Sequence, residues 1–293
     1  MSFFEANIQS ISITKSVREA ASGPPLLRAG LKRRVFAADQ IYMEAITFAG
    51  VLGAIFGSFL NVVIHRLPRH ESVVSPASHC PGCDTPVRPY DNIPILSWLL
   101  LRGHCRSCGE PISPRYPLVE AGTAALCVGA VVAHDSVSSI ALSVALILIV
   151  VPAAVIDLEH RIIPNKITAL GAVLALVLGT ALDPSGEPTR LIAGAAAGGF
   201  LLLAALAYPG GMGMGDVKLA GVMGLFLGSA VAPAILIALL TGVGVGAVVV
   251  AHKGTTEGRK TAIPFGPFLA FGALVAVFVG QDIVQLYVNN FLH

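Results

Sequence analysis

Long apolar runs separated by short polar connections dominate the chain from residue 42 onwards. Each run is about 20 residues long, the length of an α-helix that crosses the hydrocarbon core of a bilayer. A membrane β-barrel would instead show segments of about ten residues with alternating polarity, and the sequence has no such alternation. The runs predict membrane-spanning helices near 42–64, 116–133, 137–156, 166–182, 190–208 and 262–280.

One apolar tract, 217–251, is too long for a single span. Gly228, Ser229 and Pro233 lie inside it, and residues of this kind favour a tight turn. The tract therefore predicts two helices joined by a turn, of which the first is short. The expected fold is an all-α polytopic membrane protein with about eight transmembrane helices.

Polar segments divide the chain further. We expect a polar N-terminal extension at 1–41, a polar loop at 65–115 after the first helix, a membrane core at 116–282 and a tail at 283–293. The extension is basic, which is typical of the cytoplasmic side. If the loop after the first helix is cytoplasmic, however, the extension before that helix would lie on the opposite side of the membrane. Either Met43 is the true start and the extension is an artefact, or the extension is disordered and its role is unassigned.

Composition and charge agree with a membrane protein. Hydrophobic residues make up 55% of the chain, charged residues 12%, and the mean hydropathy is +0.78, which is outside the range of soluble domains. Basic residues collect on alternate connections, a pattern typical of the cytoplasmic side. They are Arg66, Arg69, Arg88, Arg102, Arg106, Arg115, Arg161, Lys166, Lys218, Lys253, Arg259 and Lys260.

The polar loop carries four cysteines in two Cys-x-x-Cys pairs, Cys80 with Cys83 and Cys105 with Cys108. Two such pairs are typical of tetrahedral structural zinc. A cytoplasmic loop also disfavours disulfides. Thioredoxin-like redox chemistry is the alternative, although it would not need the second pair. The fifth cysteine, Cys127, lies in an apolar run and is expected to be a buried hydrophobe.

Two aspartates stand at the ends of apolar runs. Asp157 lies where one run stops, and Asp216 lies where another begins. Separately, each has an ordinary interpretation, as a hydrated helix end or as a helix cap. The predicted topology puts both at the cytoplasmic face, where two carboxylates that share a site can hold one proton between them. Such a pair can hydrolyse a peptide bond without a covalent intermediate.

The helix ends suggest how the two aspartates divide the work. The positive end of a helix dipole favours the anion at Asp216, and the negative end favours the neutral acid at Asp157. A coupled pair titrates as a unit, so this assignment is a hypothesis about microstates.

Several motifs, in order, resemble those of the bacterial type IV prepilin peptidases, membrane aspartic proteases with a Gly-x-Gly-Asp motif. The resemblance covers about residues 43–280. It rests on Gly57-Ser-Phe-Leu-Asn61-Val-Val-Ile-His-Arg66-Leu-Pro68, the two Cys-x-x-Cys pairs, Arg115-Tyr-Pro-Leu-Val-Glu120, Asp157 with Ile163-Pro164, Gly213-Met-Gly-Asp216-Val-Lys218 and Pro264-Phe-Gly-Pro267-Phe-Leu-Ala270.

The resemblance implies that Asp157 and Asp216 are the catalytic residues. It implies prepilin or pseudopilin substrates, cut at the cytoplasmic face of the bacterial inner membrane between a short basic leader and a hydrophobic segment. It also implies that the new N-terminus is then methylated from S-adenosylmethionine. Glu120 is a candidate for that second site because an intramembrane carboxylate is costly; a helix-end Glu near Arg115 is the alternative.

Five residues are candidates for substrate contact: Gly213, Gly215, Lys218, Pro264 and Gly266. Glycines let an extended peptide approach the backbone closely, and free backbone groups are acceptable where they line a cavity. For Lys218 the alternative is a side chain that snorkels to the interface. For Pro264 and Gly266 it is an ordinary helix start.

Two other classes of function stay open at this point. A transporter also has many spans and intramembrane acids, but these usually lie near the midplane, and a scaffold of a secretion machine could use the cysteine loop for docking. The expected partners are the prepilins or pseudopilins and membrane lipid, with no nucleic acid. The sequence does not distinguish pili, type II secretion and DNA uptake, and it does not set the oligomeric state.

Overall fold

The structure is a computed structural model that describes residues 25–208, 211–254 and 263–291. Residues 1–24 of the predicted extension, together with Arg259 and Lys260, lie outside the described residues. The α-helices in these ranges are α1 (Pro25–Arg66), α2 (Leu96–Leu100), α3 (Arg115–Ala133), α4 (Val137–His160), α5 (Asn165–Leu182), α6 (Glu187–Ala207), α7 (Met214–Leu227), α8 (Val231–Lys253) and α9 (Gly266–Phe291).

Within these ranges, seven helical stretches are long and apolar enough to cross a membrane. One of them, 214–253, is broken by a 3₁₀ turn at Gly228–Ala230, where Gly228 has a φ of 57°. The turn separates α7, which has only 14 residues, from α8. The predicted all-α multi-pass fold is confirmed, and the break gives α7 and α8 as separate helices.

Helices α1 and α3 are closely packed because glycines of α1 face the backbone of α3. A Cβ atom built on Gly57 would lie 2.7 Å from the Cα atom of Glu120, and one built on Gly53 would lie 2.7 Å from the Cα atom of Ala124. Small residues let helix backbones approach each other where lipid removes the hydrophobic drive for association. The cysteine loop between these two helices therefore starts and ends at adjacent points.

Helix α4 is the central element of the bundle. It packs against α1, α3, α5, α7 and α9, and half of its most apolar window is buried inside the protein. Leu146, Val150 and Ile156 are completely buried along it. Asp157 follows directly after this buried stripe, so a charged residue comes to lie where several helices meet.

A second charged cluster lies near the start of α6 and the end of α7, at the end of the bundle opposite Asp157. Arg190 in the first turn of α6 is buried and donates hydrogen bonds to Asp183 and Glu187. The side chain of Arg190 also lies beside Gly228, 3.6 Å from the position of an added Cβ. Helix α7 therefore runs from the end that carries the cysteine loop, here called the loop end, to the end that carries Arg190.

Candidate active site

Asp157 lies in the last turn of α4 and is only 5% exposed. Arg161 ends the helix in the left-handed conformation, with a φ of 55°, and its backbone N–H donates to the Asp157 carbonyl oxygen at 2.9 Å. The predicted placement at a helix C-terminus is present in the structure. The carboxylate is therefore held at the negative end of the helix dipole.

Asp216 lies in the first turn of α7 and is 8% exposed. Its Oδ2 atom accepts a hydrogen bond of 3.3 Å from the backbone N–H of Gly213. Its Oδ1 atom is buried and has no hydrogen-bond partner among the described residues. A buried carboxylate oxygen without a partner is costly in a purely structural role, so this atom is suited to binding a ligand.

The fold brings the end of α4 and the start of α7 together. A Cβ atom added to Gly215 would lie 2.9 Å from the Cβ atom of Ile163, so the segment after Asp157 packs directly on the first turn of α7. This packing brings the last turn of α4, which carries Asp157, beside the first turn of α7, which carries Asp216. Two buried carboxylates from distant parts of the sequence thus share one site at the loop end.

A third chain segment reaches this site at the start of α9. The backbone N–H of Gly266 donates a 2.9 Å hydrogen bond to Asp157 Oδ2. A Cβ atom on residue 266 would lie 2.7 Å from that oxygen, so only glycine lets the backbone come this close. Gly266 contacts the carboxylate itself, a role that the sequence did not indicate, and Pro264 lies two residues earlier, half-buried.

Lys218, the remaining candidate for substrate contact, is exposed and hydrogen-bonded to another residue of the loop end. Its Nζ atom donates to Asn165 Oδ1 at 2.8 Å. It thereby joins α7 to the first residue of α5. Side chains two positions apart on a helix point in different directions, which accounts for the absence of a hydrogen bond between Lys218 and Asp216 among the described contacts.

The four cysteines of the loop form one cluster. Their sulfur atoms all lie within 4.8 Å of one another, and the Sγ atoms of Cys80 and Cys108 are 3.7 Å apart. A tetrahedral zinc ion with bonds of about 2.3 Å requires sulfur atoms about 3.8 Å apart. The predicted ligand set, Cys80, Cys83, Cys105 and Cys108, is therefore brought together with the spacing that a metal ion needs.

The two cysteine pairs are folded in the same way. The N–H groups of Cys80 and Cys105 donate to the carbonyl oxygens of Thr85 and Glu110, each five residues later. The histidine before each pair points to backbone instead, because the Nδ1 atoms of His79 and His104 lie 3.2 and 2.7 Å from carbonyl oxygens. Neither histidine is needed to complete a four-sulfur shell.

The thiols of the cluster compete for negative charge. Backbone N–H groups of Cys108 and Ser107 lower the pKa of Cys105 to about 6. The pKa of Cys108 is raised to about 12 although the backbone of Glu110 favours its thiolate, because Cys83 and the other cysteines hydrogen-bond to the sulfur. A divalent cation removes this competition, since it stabilises all four thiolates together.

A cavity of about 830 Å³ lies between the cysteine loop and the loop ends of α1 and α3. Glu120 and Asn61 line it from the two helices. Glu120 Oε2 accepts a 2.7 Å hydrogen bond from the backbone of Ile95, whereas Asn61 Oδ1 is buried without a partner among the described residues. The cavity is separate from the aspartate pair, whose residues do not line it.

Several residues of the loop end make contacts that the sequence did not indicate. Arg115 binds Glu159 at 2.5 Å and so ties the start of α3 to the last turn of α4, two residues beyond Asp157. Ile163 packs on Gly215, and Asn165 binds Lys218. The Ile163-Pro164 pair belongs to a motif noted in the sequence, but its contact with α7 depends on the folded arrangement of distant segments.

Comparison with known proteins gives two family matches that cover most of the described chain. The model of the bacterial peptidase A24 N-terminal domain matches residues 51–134, and that of the type IV leader peptidase family matches residues 140–250. The second match contains both aspartates, and the first contains the four cysteines and Glu120. No solved structure gave a significant match.

Relatives named "Prepilin leader peptidase/N-methyltransferase" extend the comparison. The Aeromonas hydrophila protein is 34% identical, covering 80% of this chain and 91% of the relative, and the Bacillus subtilis protein is 34% identical, covering 82% and 96%. The Myxococcus xanthus protein is 40% identical, covering 61% of this chain and 55% of the relative. These matches do not favour a transporter or a scaffold, and the chain belongs to the type IV leader peptidase family.

Proposed function

We propose that this membrane enzyme removes the leader of prepilins or pseudopilins with Asp157 and Asp216 as its catalytic pair. One observation carries the proposal: the carboxylates that end α4 and begin α7 are both buried at the same end of the bundle, where the segment after Asp157 packs on the first turn of α7. Isolated charges are too costly to keep at such positions without a function or a partner. The match to the type IV leader peptidase family covers residues 140–250 and so includes both positions, which supports the proposal.

The surroundings of each carboxylate support different roles. Asp216 lies at a helix N-terminus and accepts the Gly213 N–H, which favours its anion. Asp157 lies at a helix C-terminus, which favours its neutral acid. We therefore assign Asp216 as the general base and Asp157 as the general acid, with the unpartnered Oδ1 atom of Asp216 as the atom that takes the proton.

Hydrolysis then proceeds in two steps with the protons balanced. Asp216 takes a proton from water while the hydroxyl oxygen bonds to the scissile carbonyl carbon, and Asp157 gives its proton to the carbonyl oxygen. Asp157 then takes a proton back from the resulting diol as Asp216 protonates the amide nitrogen. The carbon–nitrogen bond breaks, and both aspartates return to their starting states.

The site suits a substrate whose hydrophobic segment remains in the membrane. The basic connections of the loop end support a location on the cytoplasmic side of the bacterial inner membrane, because Lys and Arg collect on that side of membrane proteins. The junction between a basic leader and an apolar segment then lies at the depth of Asp157 and Asp216. Gly213 and Pro264, which flank the aspartate pair in the chain, are candidates for contact with the extended junction.

The loop supplies a second element, a structural zinc site. Cys80, Cys83, Cys105 and Cys108 would hold the ion, and the sulfur spacing fits a tetrahedral shell. Bound zinc would fix the fold of the loop and take no part in peptide hydrolysis. The two similar cysteine hairpins support this role because a redox pair would need only one of them.

Methylation of the new N-terminus would use the cavity between the loop and the first two spans. The names of the relatives include N-methyltransferase, and a cavity of about 830 Å³ has the size of a small-molecule site. Its unpartnered Asn61 Oδ1 and buried Glu120 offer acceptors for a donor such as S-adenosylmethionine. The donor would supply the methyl group, and these residues would bind and orient it.

Cleavage of a prepilin in native membranes tests the peptidase assignment. We expect Asp157→Asn and Asp216→Asn each to lose cleavage while the protein is still inserted at the wild-type level. Asp282→Asn, in α9 and outside the site, is the control that should cleave normally. Cleavage at the wild-type rate by either catalytic variant would overturn the assignment.

Transfer of a labelled methyl group to the cleaved pilin tests the cavity. Glu120→Gln should lower methyl transfer and leave cleavage in place, because Glu120 lines the cavity and not the aspartate pair. Glu44→Gln changes an exposed carboxylate elsewhere on α1 and should affect neither reaction. Equal loss of both reactions in Glu120→Gln would contradict a separate methylation site.

A further inference from the structure

The loop contains an apolar segment that the zinc site and the cavity do not fully explain. Residues 93–101 are nine consecutive residues without a charge, and they include helix α2. A stretch of this length is too short to cross a bilayer and is typical of a buried core segment or of one that lies in the interface. The exposure of its side chains distinguishes these two cases.

Three leucines of α2 are not covered by protein. Leu96 is 57% exposed, Leu99 is 58% exposed and Leu100 is 81% exposed. The other side of the segment faces inward, because Ser97 is buried and the Trp98 Nε1 atom donates to the Ile112 carbonyl oxygen at 3.0 Å. The segment is therefore amphipathic, and its apolar side needs a cover that the described part of the chain does not supply.

The depth of α2 in the structure indicates what that cover is. The N–H of Ile95 donates to Glu120 Oε2 at 2.7 Å. Glu120 is the sixth residue of α3, a membrane-spanning helix, and it lies about 7.5 Å along the helix axis from Arg115. Leu118 on the same turns of α3 is 68% exposed, as expected of a lipid-facing residue. The start of α2 is therefore level with the lipid-facing surface of a span.

A tryptophan within the segment and an arginine after it also match an interface. Trp98 is the kind of residue that collects at the boundary between headgroups and acyl chains, where its ring is apolar and its N–H is hydrogen-bonded. Arg102 follows the last residue of the apolar segment, Leu101, and is exposed. A basic side chain there can reach lipid phosphates while the leucines are immersed in acyl chains.

We propose that α2 is an interfacial membrane anchor whose Leu96, Leu99 and Leu100 insert into the bilayer at the loop end. The occupant of this apolar face is the lipid bilayer, since the face lies at the depth of an exposed apolar residue of a membrane-spanning helix, Leu118 of α3. Ile95 and Trp98 also line the large cavity. The bilayer would thus hold one wall of that cavity in place and keep the cysteine loop against the membrane surface.

The intrinsic fluorescence of Trp98 provides the test, because this is the one tryptophan of the chain. The full-length protein is reconstituted in vesicles whose lipids carry bromine either near the headgroup or near the end of the acyl chain. We expect the shallow bromine to quench Trp98 more strongly than the deep bromine. Absence of quenching by either lipid, as would occur if a second copy or a substrate covered the face, would overturn the proposal, and so would stronger quenching by the deep bromine.

A pair of variants tests the leucines themselves. Leu99→Glu with Leu100→Glu should weaken quenching by the shallow bromine at least twofold, because two carboxylates oppose insertion into lipid. Val74→Glu changes another exposed apolar residue of the same loop, 86% exposed and outside α2, and should leave quenching unchanged. The measurement needs no enzymatic activity. Unchanged quenching in the double variant would rule out the leucines as the anchor.

Discussion

The backbone N–H of Gly266 donates a hydrogen bond to Asp157 Oδ2, although 109 positions separate the two residues in the sequence. This contact joins the start of α9 to the last turn of α4. A rigid backbone group thus fixes the position of one carboxylate oxygen of Asp157. Because the carboxylate is planar, the position of its other oxygen is restricted as well. Correct placement of a catalytic group within about 1 Å is worth large factors in rate.

Replacement of Gly266 by alanine should disrupt this arrangement. The added Cβ would lie 2.7 Å from Asp157 Oδ2, closer than packing allows, so either α9 or the carboxylate must move. We expect Gly266→Ala to lower the rate of leader cleavage roughly 100-fold. The rate is measured in membranes with a prepilin substrate, together with the amount of inserted protein.

Gly244→Ala is the matched control, because a Cβ atom at residue 244 meets nothing within 4 Å. It should insert and cleave as the wild type does. Wild-type cleavage by Gly266→Ala would show that the hydrogen bond to Asp157 does not position the carboxylate for the reaction.

The span pattern of the fold was predictable from sequence because each helix needs enough apolar residues to cross the bilayer. The break near Gly228 was also predictable, since a tract of this length must turn. Both aspartates proved to lie at the helix ends expected of them. These features depend on local composition, which the sequence displays directly.

Contacts between distant segments were not predictable in the same way. Nothing near Gly266 indicates that its N–H reaches Asp157, and the link from Arg115 to Glu159 depends on how α3 packs beside α4. The leucines of α2 lie within a segment that the sequence predicts as a polar loop, and only the folded structure shows that their side chains are exposed. Such features follow from the relative positions of helices, which hydrophobic patterns do not define.

Mutation of the cysteine cluster should remove a bound metal ion. Purified wild-type protein should contain about one zinc per chain, and Cys83→Ser should contain almost none, because three thiolates bind the ion more weakly than four. The variant loop should also be cut faster by trypsin. Metal content is measured by elemental analysis of the purified protein.

Cys127→Ser is the control for this experiment. Cys127 is buried in α3 and lies outside the cluster, so its replacement should leave the zinc content of the folded protein unchanged. Wild-type protein without zinc, or equal zinc content in Cys83→Ser, would contradict the metal site.

The dependence of protein stability on pH in the acidic range should involve Asp183, which lies at the end of the bundle opposite the aspartate pair. The hydrogen bond from Arg190, helped by Ser185, lowers the pKa of Asp183 below its usual value. A carboxylate whose pKa is lowered by folding stabilises the protein above its unfolded pKa of about 3.9, and that contribution is lost as the pH falls through the folded value.

Asp183→Asn should therefore lower the unfolding temperature by about 2 °C at neutral pH, because the pair is partly solvent-screened. The difference from wild type should begin to shrink below about pH 4, where the carboxyl group of the unfolded wild type becomes protonated, and should be lost as the pH falls through the lower pKa of the folded state. Asp135→Asn, on the other short connection at this end and exposed, should show no such difference. A difference that grew on acidification would contradict the ion pair.

The most direct test of the central claim, that Asp157 and Asp216 act as one catalytic unit, is the single-turnover rate of leader cleavage in three variants. These are Asp157→Asn, Asp216→Asn and the double variant, measured at equal levels of inserted protein. When two residues act as one unit, removal of either one abolishes the rate enhancement that both provide. We therefore predict that each single variant falls to the same residual rate as the double variant. A single variant that cleaves much faster than the double variant would contradict the dyad.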